Sequence, residues 1–285
     1  MEKDYKIAEH RIRIEGDELI SAVKRIEGFA PFEVPVEDAP LVIFSITTEE
    51  APVMTKPQYN SKIDEISNVF GRYERGYMFT TTPLGESALQ IWQEDGSNRI
   101  YFQGSVFSTR LLRFTLWIAF GMATVPHETI AIHTSTIQYR NSCVLFLGES
   151  GTGKSTHTRL WKENIVDSIL LNDDSPILRI IDNEPRIFGS PWSGKTPCYK
   201  NEDYPLVACV RLSQAPYNKI KKLSILESYG ALHPSCPPDF AYDDNLYDHI
   251  SLTLDKVLSY VPVYHLACLP NAEAAKLSCK TIFGE

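Results

Sequence analysis

The sequence predicts a mixed α/β protein, and three observations carry that prediction. Strand-like and helix-like hydrophobic patterns alternate along the 285 residues. A glycine-rich stretch at 146–161 lies between a short apolar run and a helical pattern. An acidic pair ends the next apolar run, at 168–174. The length allows one or two domains, and the Val-Pro break that follows residue 124 leads us to expect two, at 1–125 and 126–285.

The first domain is predicted to be a smaller α+β module, and the patterns leave its role open. A helix is expected at 17–28, with Gly28 as its stop and these apolar residues on one face: Leu19, Ile20, Val23 and Ile26. Strands are expected at 41–46, 69–81, 87–93 and 99–104. Turn residues between them indicate an antiparallel meander. An apolar helix is expected at 107–125, and the Val-Pro sequence at its end marks the domain boundary.

The second domain is predicted to alternate strands with helices. Its strands are expected at 129–140, 143–148, 168–173, 208–213 and 261–268. Its helices are expected at 153–163, 242–260 and 271–283. A tight turn at 141–142 joins the first two strands into a hairpin, and 176–191 has the pattern of a second hairpin.

Composition restricts the functions that the chain can serve. The net charge is −8 and no run of Lys and Arg stands out, which argues against nucleic acid as a partner. The most apolar stretch, 111–125, is too short to cross a membrane and contains Arg113. The N-terminus has no apolar signal segment, and the six cysteines are scattered. We therefore expect a cytoplasmic protein with reduced thiols and no membrane association.

The glycine-rich stretch contains G-x-x-x-x-G-K-S, a loop that binds phosphate chains where it joins a strand to a helix. Its glycines let backbone N–H groups turn toward phosphate oxygens, and the next helix adds its positive N-terminus. Lys154 would supply a mobile positive charge for the outer phosphates, and the Ser155 hydroxyl can ligate Mg²⁺. The alternative is an empty glycine turn. The pattern predicts ATP and Mg²⁺ as cofactors, with these nucleotide-binding residues: Gly148, Glu149, Ser150, Gly151, Thr152, Gly153, Lys154, Ser155 and Thr156.

The acidic pair follows a buried strand candidate, where nucleotide sites place a carboxylate near Mg²⁺. The stretch between Lys154 and Asp173 has room for one helix and one return strand. Two adjacent carboxylates also allow a division of work, in which one is near the metal and the other accepts a proton from a hydroxyl. The alternative is an Asx turn that ends a strand before Pro176.

With His133, which lies on the strand candidate before the loop strand, these features form a recognisable series. The stretch "HTSTIQYRNSCVLFLGESGTGKSTHTRLW…LLNDD" resembles the core of HPr kinase/phosphorylase and its relatives. "GESGTGKST" also looks like the kinase loop of ATP-dependent phosphoenolpyruvate carboxykinases, and 188–201 and 261–277 look like HPr-kinase-related bacterial proteins. The resemblance covers roughly 129–280 and implies a phosphoenolpyruvate-carboxykinase-like P-loop nucleotide-binding core.

The resemblance also implies roles for individual residues. Asp173 would be the general base, and Asp174 would lie on the metal side with Ser155, although the opposite assignment of the two aspartates stays open. His133 would lie near the phosphoryl-transfer site. The stretch 189–195 would form a second loop over the site, with Lys195 stabilising transition-state charge; the alternative is a Gly/Ser turn around a buried tryptophan.

Three functions are compatible with these features. The favoured one is an HPr-kinase-like phosphotransferase that moves the γ-phosphoryl group of ATP to a hydroxyl on a protein serine or a small metabolite. The second is a phosphoenolpyruvate-carboxykinase-like lyase. It needs a longer chain, further residues that bind a metal, and residues that bind a carboxylic substrate. The third is a nucleotide-binding accessory protein without turnover. The sequence does not identify the acceptor, and it leaves open whether the chain forms a homo-oligomer, as such relatives often do.

Overall fold

The protein is mixed α/β, as the sequence predicts, with two large sheets and helices packed on them. The structure, a computed structural model, describes residues 1–104, 106, 108–194 and 196–284. It divides into two compact units: Met1–His127 with Pro238–His249, and Glu128–Pro237 with Ile250–Glu285. The short segment Pro238–His249 therefore groups with the first unit although it lies late in the chain.

The first unit is built on a nine-stranded sheet. Its strands are β1 (Glu2–Ile7), β2 (His10–Glu15), β3 (Glu33–Val34), β4 (Val42–Ile46), β5 (Lys56–Ile63), β6 (Ile66–Tyr73), β7 (Gly76–Pro83), β8 (Leu89–Glu94) and β9 (Arg99–Gln103). They follow the order β3-β1-β2-β4-β9-β8-β7-β6-β5. Strands β5 to β9 form the expected antiparallel meander. The sheet is mixed because β4 runs parallel to both of its neighbours, β2 and β9.

Two helices pack against this sheet, α1 (Asp17–Lys24) and α2 (Thr109–Thr124). The apolar side of α1 is buried, as its pattern predicts. At the start of α2 the Ser108 side chain accepts a hydrogen bond from the Leu111 N–H group, which caps the helix. Phe114 of α2 then meets Phe79 of β7 edge to face, with ring centroids 5.7 Å apart.

The strand predicted at 69–81 is two strands in the structure. Glu74 and Arg75 form a turn between β6 and β7, because neither charged side chain gains from burial in the sheet. Strands β1, β3 and β5 were not predicted. β5 is largely exposed along its length, so its sequence carries no alternation of apolar residues that would mark it as a strand.

Segment 238–249 contributes to the core of the first unit. Phe240 is fully buried, and its ring lies 5.1 Å from the ring of Phe70. A Cβ atom at Gly121 of α2 would lie 2.5 Å from the same ring, so only glycine leaves room for it. The buried Asp243 carboxylate accepts a hydrogen bond from the Tyr77 hydroxyl at 3.2 Å. A first domain that ends at residue 125 therefore leaves out segment 238–249, which completes this core.

The second unit contains another nine-stranded sheet. Its strands are β10 (Thr129–Ala131), β11 (Thr134–Tyr139), β12 (Ser142–Leu147), β13 (Ile169–Asp174), β14 (Ile177–Ile181), β15 (Glu184–Phe188), β16 (Asp203–Gln214), β17 (Lys219–Lys222) and β18 (Val263–Cys268). The main order is β10-β14-β15-β16-β12-β11-β13, and β18 joins β16 to β17. β16 runs parallel to β12 and to β18, and the other pairs are antiparallel.

The remaining helices are α3 (Lys154–Asn164), α4 (Ile225–Leu232), α5 (Asp244–Tyr260) and α6 (Ala272–Phe283). Short 3-10 turns lie at Glu27–Phe32, Val125–His127, His233–Ser235 and Pro238–Phe240. In the second unit, α3 and α6 enclose a core around the fully buried Trp161, whose indole N–H donates to Ser278 Oγ at 2.9 Å. No helix in the described ranges is long and apolar enough to cross a membrane.

Candidate functional site

Three segments meet at one edge of the second sheet. β12 continues into the glycine-rich loop, β13 ends in the acidic pair, and His133 comes directly before β11. β11 lies between β12 and β13 and is antiparallel to both. The carboxyl ends of β12 and β13 therefore lie beside the amino end of β11. The strand predicted at 129–140 is broken at 132–133, and this break leaves the His133 side chain at the edge.

The loop from Gly148 to Gly153 is open to solvent over its central residues. Gly148 has a φ angle of 156° and Gly153 one of 109°. Residues other than glycine rarely adopt these backbone conformations. Gly153 is also the N-cap of α3, and it provides no side-chain cap for the first turn. The first N–H groups of α3 therefore have no capping partner from that residue, which suits the binding of an anion.

Lys154, the first residue of α3, folds back over the loop. Its Nζ atom donates to the backbone oxygens of Gly148 at 2.7 Å and Glu149 at 3.3 Å. Partial burial lowers the pKa of Lys154, while the nearby charges of Asp174 and Asp173 act in the opposite direction. The ammonium group thus lies between the loop and the acidic pair.

The two aspartates have different partners. Asp173 is buried, and its Oδ1 atom accepts a hydrogen bond from Ser155 Oγ at 2.9 Å. Asp174 is more exposed, and its Oδ1 atom lies 3.2 Å from His133 Nδ1. The sequence-based expectation grouped Ser155 with Asp174 on the metal side, whereas here Ser155 contacts Asp173.

The imidazole of His133 links Asp174 to Lys154. Its Nε2 atom lies 3.1 Å from Lys154 Nζ. Because an ammonium group has only hydrogens to offer, Nε2 accepts in this contact and Nδ1 carries the proton that is donated to Asp174. The backbone N–H of His133 donates to the Ser235 carbonyl at 2.7 Å, which fixes the histidine at its base.

A second loop, residues 189–194, is hydrogen-bonded to the end of β13. The buried Asn172 side chain donates from Nδ2 to Ser190 Oγ at 3.2 Å and to the Trp192 backbone oxygen at 3.1 Å. Its Oδ1 atom accepts from the Ser175 N–H group at 3.0 Å. The predicted second loop over the site therefore lies against the acidic strand, and its tryptophan is buried.

The backbone at Asp174 is strained. Its φ angle is 147°, in a region that costs a non-glycine residue about 1–3 kcal/mol. Such a conformation persists only when its surroundings hold it, and strain of this kind concentrates at functional sites.

A cavity of about 620 Å³ opens beside the loop. One wall is Gly151, Thr152, Gly153 and Thr156, and another is Leu212, Ser213, Gln214 and Ala215. Cys268, Leu269 and Pro270 complete it, together with the buried residues His157 and Leu160 of α3. Its size and mixed lining match a small-molecule site.

The other predicted site residues fall in three groups. Thr156 lines the cavity, whereas Glu149 and Ser150 are exposed on the loop. Lys195, the predicted stabiliser of transition-state charge, lies outside the described residues. Asn172 and Ser190 were not predicted. The only signal for them was an amide directly before two aspartates and a serine in a Gly-Ser-Pro turn, and both patterns are common in loops.

The residues present fit Mg²⁺ bound together with a phosphate chain. Across the described ranges, no three His, Cys, Asp or Glu side chains are grouped to hold a metal ion by themselves. Ser155 and Asp173 supply adjacent hydroxyl and carboxylate oxygens. Mg²⁺ prefers oxygen ligands, keeps several waters and commonly takes its remaining ligands from substrate phosphates.

No protein-family model matches the chain, and no curated protein matches it.

Proposed function

We propose that this protein is an ATP- and Mg²⁺-dependent phosphotransferase that moves a γ-phosphoryl group to a hydroxyl on a protein serine or a small metabolite. One observation carries the proposal. An open glycine loop, a lysine and two aspartates with different partners meet at one sheet edge. A site for binding alone has no need of a second carboxylate hydrogen-bonded to a histidine.

In this proposal the triphosphate lies along residues 148–155. The loop N–H groups and the amino end of α3 bind its oxygens, and Lys154 turns from the loop carbonyls to the outer phosphates. The nucleoside occupies the adjacent cavity, whose residues 151–153 belong to the same loop. One continuous site therefore accommodates both parts of the nucleotide.

Ser155 and Asp173 would hold Mg²⁺, which, when bound, neutralises charge on the phosphate oxygens. This assignment exchanges the roles expected for the two aspartates. The Ser155 hydroxyl already bonds to Asp173 Oδ1, whereas Asp174 has an imidazole partner. Asp174 is the better proton acceptor in this arrangement because the metal would compete for the carboxylate of Asp173.

The transfer step is a simple displacement. The hydroxyl oxygen of the acceptor forms a bond to the γ-phosphorus, and the bond from that phosphorus to the β,γ-bridging oxygen breaks. The acceptor proton moves to the Asp174 carboxylate, and ADP leaves with the bridging oxygen. His133 donates its Nδ1–H to Oδ1, so it orients the carboxylate and leaves Oδ2 for the acceptor. Lys154 stabilises charge on the transferred group.

The proposal agrees with the resemblance of residues 129–280 to HPr-kinase-related proteins, which implies a P-loop nucleotide-binding core. We propose the kinase in preference to a phosphoenolpyruvate-carboxykinase-like lyase. The kinase needs a group that accepts the proton of a hydroxyl, and Asp174 with its histidine partner supplies one.

Label transfer tests the proposal. The protein is incubated with Mg²⁺, γ-labelled ATP and either a cell extract or a panel of hydroxyl-bearing metabolites. We expect the label in a phosphomonoester, with none in the Lys154→Ala variant. A parallel reaction with oxaloacetate and Mn²⁺ tests the lyase. Nucleotide binding without label transfer to any acceptor or to water would replace the kinase with an accessory protein.

A further inference from the structure

We infer that the loop 189–194 positions Asp174 for the reaction proposed above, and that Asn172, Ser190 and Gly194 are its positioning residues. The inference rests on the proposed function of Asp174 as proton acceptor. It assigns a role to a segment that is hydrogen-bonded to the end of β13.

The loop bonds directly to the strained part of the chain. The Gly194 N–H group donates to the Asp173 carbonyl at 2.5 Å. Ser193 forms an antiparallel bridge with Asp174 itself. Both contacts are to the backbone on either side of the unusual φ angle of 147°. They therefore hold the peptide orientation that directs the Asp174 side chain toward His133.

Buried polar groups anchor the loop at its other end. The Ser190 hydroxyl donates to the Ser175 carbonyl at 2.5 Å and accepts from the Trp192 N–H group at 3.1 Å. Asn172 reaches the same hydroxyl and the Trp192 carbonyl. Because Asn172 and Ser190 are fully buried, neither can exchange these partners for water. These buried hydrogen bonds therefore hold the loop in one position against the end of β13.

Gly194 is required by close approach. A Cβ atom placed there would lie 2.8 Å from the Asp173 carbonyl oxygen and 3.2 Å from Asp174 Cβ. The first distance is shorter than real Cβ contacts, and the second is a tight contact. An alanine would push the loop and the Asp174 side chain apart. The alanine would meet the backbone carbonyl of Asp173, whereas the side chain of Asp173 has its partner on α3, where Ser155 Oγ donates to Oδ1 at 2.9 Å.

The inference therefore separates two effects. Disturbing the loop changes the orientation of Asp174, which the proton transfer needs, and leaves the glycine-rich loop and Ser155–Asp173 intact. Gly194→Ala should lower kcat at least roughly tenfold and change the KM and Kd for Mg·ATP less than about twofold. Ser190→Ala should also lower kcat. Gly230→Ala is the matched control, because a Cβ atom at Gly230 in α4 meets nothing within 4 Å.

A coupling measurement excludes a merely structural effect. If Gly194 acts through Asp174, adding Gly194→Ala to Asp174→Asn should cause no further loss of kcat. The ring signals of His133 in NMR spectra supply a readout without turnover. Gly194→Ala and Ser190→Ala should move these signals toward their positions in Asp174→Asn, and Gly230→Ala should not. The spectra keep the test valid even if no acceptor is phosphorylated, a result that would overturn only the proposed function.

Three results would overturn the inference. The first is an unchanged kcat and unchanged His133 signals in both loop variants. The second is a loss of Mg·ATP affinity that matches the loss of kcat, which would tie the loop to nucleotide binding. The third is a full additional loss in the Asp174→Asn background. If Gly194→Ala fails to fold, as judged by thermal unfolding, Ser190→Ala decides between these outcomes alone.

Discussion

His133 Nδ1 lies 3.2 Å from Asp174 Oδ1. This contact distinguishes the two neighbouring aspartates, because the other one, Asp173, is hydrogen-bonded to Ser155. A carboxylate oriented by an imidazole is suited to accept a proton, and a carboxylate beside a helix-start hydroxyl is suited to Mg²⁺. The proposed division of work between Asp173 and Asp174 is based on the different neighbours of these two adjacent residues.

Substituting each aspartate by asparagine should give different defects. Asp174→Asn removes the proton acceptor, so kcat should fall by about 10²–10⁴ while Mg·ATP still binds. Asp173→Asn removes a metal-side oxygen, so the Mg²⁺ concentration for half-maximal activity should rise. Steady-state kinetics across a Mg²⁺ series would measure both effects. The opposite pattern would return the roles to those first expected from the sequence.

Replacing His133 should weaken the transfer step without weakening nucleotide binding. His133→Gln keeps a polar side chain but loses the imidazole bridge between Asp174 and Lys154. We expect kcat to fall by roughly 10–10² and the Kd for Mg·ATP to stay within about twofold of its original value. His249→Gln, a histidine of the first unit, is the control and should leave both quantities unchanged. Equal activity of His133→Gln and the original protein would remove the histidine from the mechanism.

Filling the cavity beside the loop should weaken the binding of the nucleoside and leave the binding of the phosphates unchanged. Ala215 lines this cavity at the end of β16. An Ala215→Trp substitution should lower the affinity for ATP at least roughly tenfold, because the indole occupies space that the nucleoside needs. Affinity for inorganic tripolyphosphate, which lacks the nucleoside, should be preserved. Calorimetric titrations with the two ligands give the comparison, and equal losses would place the nucleoside elsewhere.

The stability of the first unit should depend on Asp239. Burial raises the pKa of this carboxyl from 3.8 to about 6. Protonation is therefore favoured in the folded state. The favourable contribution is complete below pH 3.8 and is lost as the pH rises through about 6. Asp239→Asn should raise the free energy of unfolding at pH 7.5 by on the order of 1–3 kcal/mol, with little gain at low pH. Chemical denaturation at several pH values would measure it, and a pH-independent difference would contradict the assignment.

The sequence predicted the elements that carry strong local patterns. The apolar runs at 143–148 and 168–173 are strands, the glycine loop lies between β12 and α3, and the acidic pair ends β13. Apolar periodicity and helix punctuation are properties of short windows, so they can be read from one chain. The largely exposed strand β5 has no such pattern and was missed.

The arrangement of the candidate site depended on tertiary contacts that the sequence does not encode locally. No spacing rule distinguishes Asp173 from Asp174. Their partners are fixed by the antiparallel pairing of β13 with β11, which brings the residue before β11 to Asp174. The buried contacts of Asn172 could not be predicted from the sequence either, because an amide next to aspartates has the pattern of a turn.

Titration of Mg·ATP into the purified protein tests whether the loop before α3 holds a triphosphate. Isothermal calorimetry should show one nucleotide bound per chain, with affinity at least roughly tenfold weaker in Lys154→Ala, because that variant lacks the charge paired with the outer phosphates. Lys222→Ala, an exposed lysine of β17, should bind like the original protein. No detectable binding by the original protein, or equal binding by Lys154→Ala, would contradict the account.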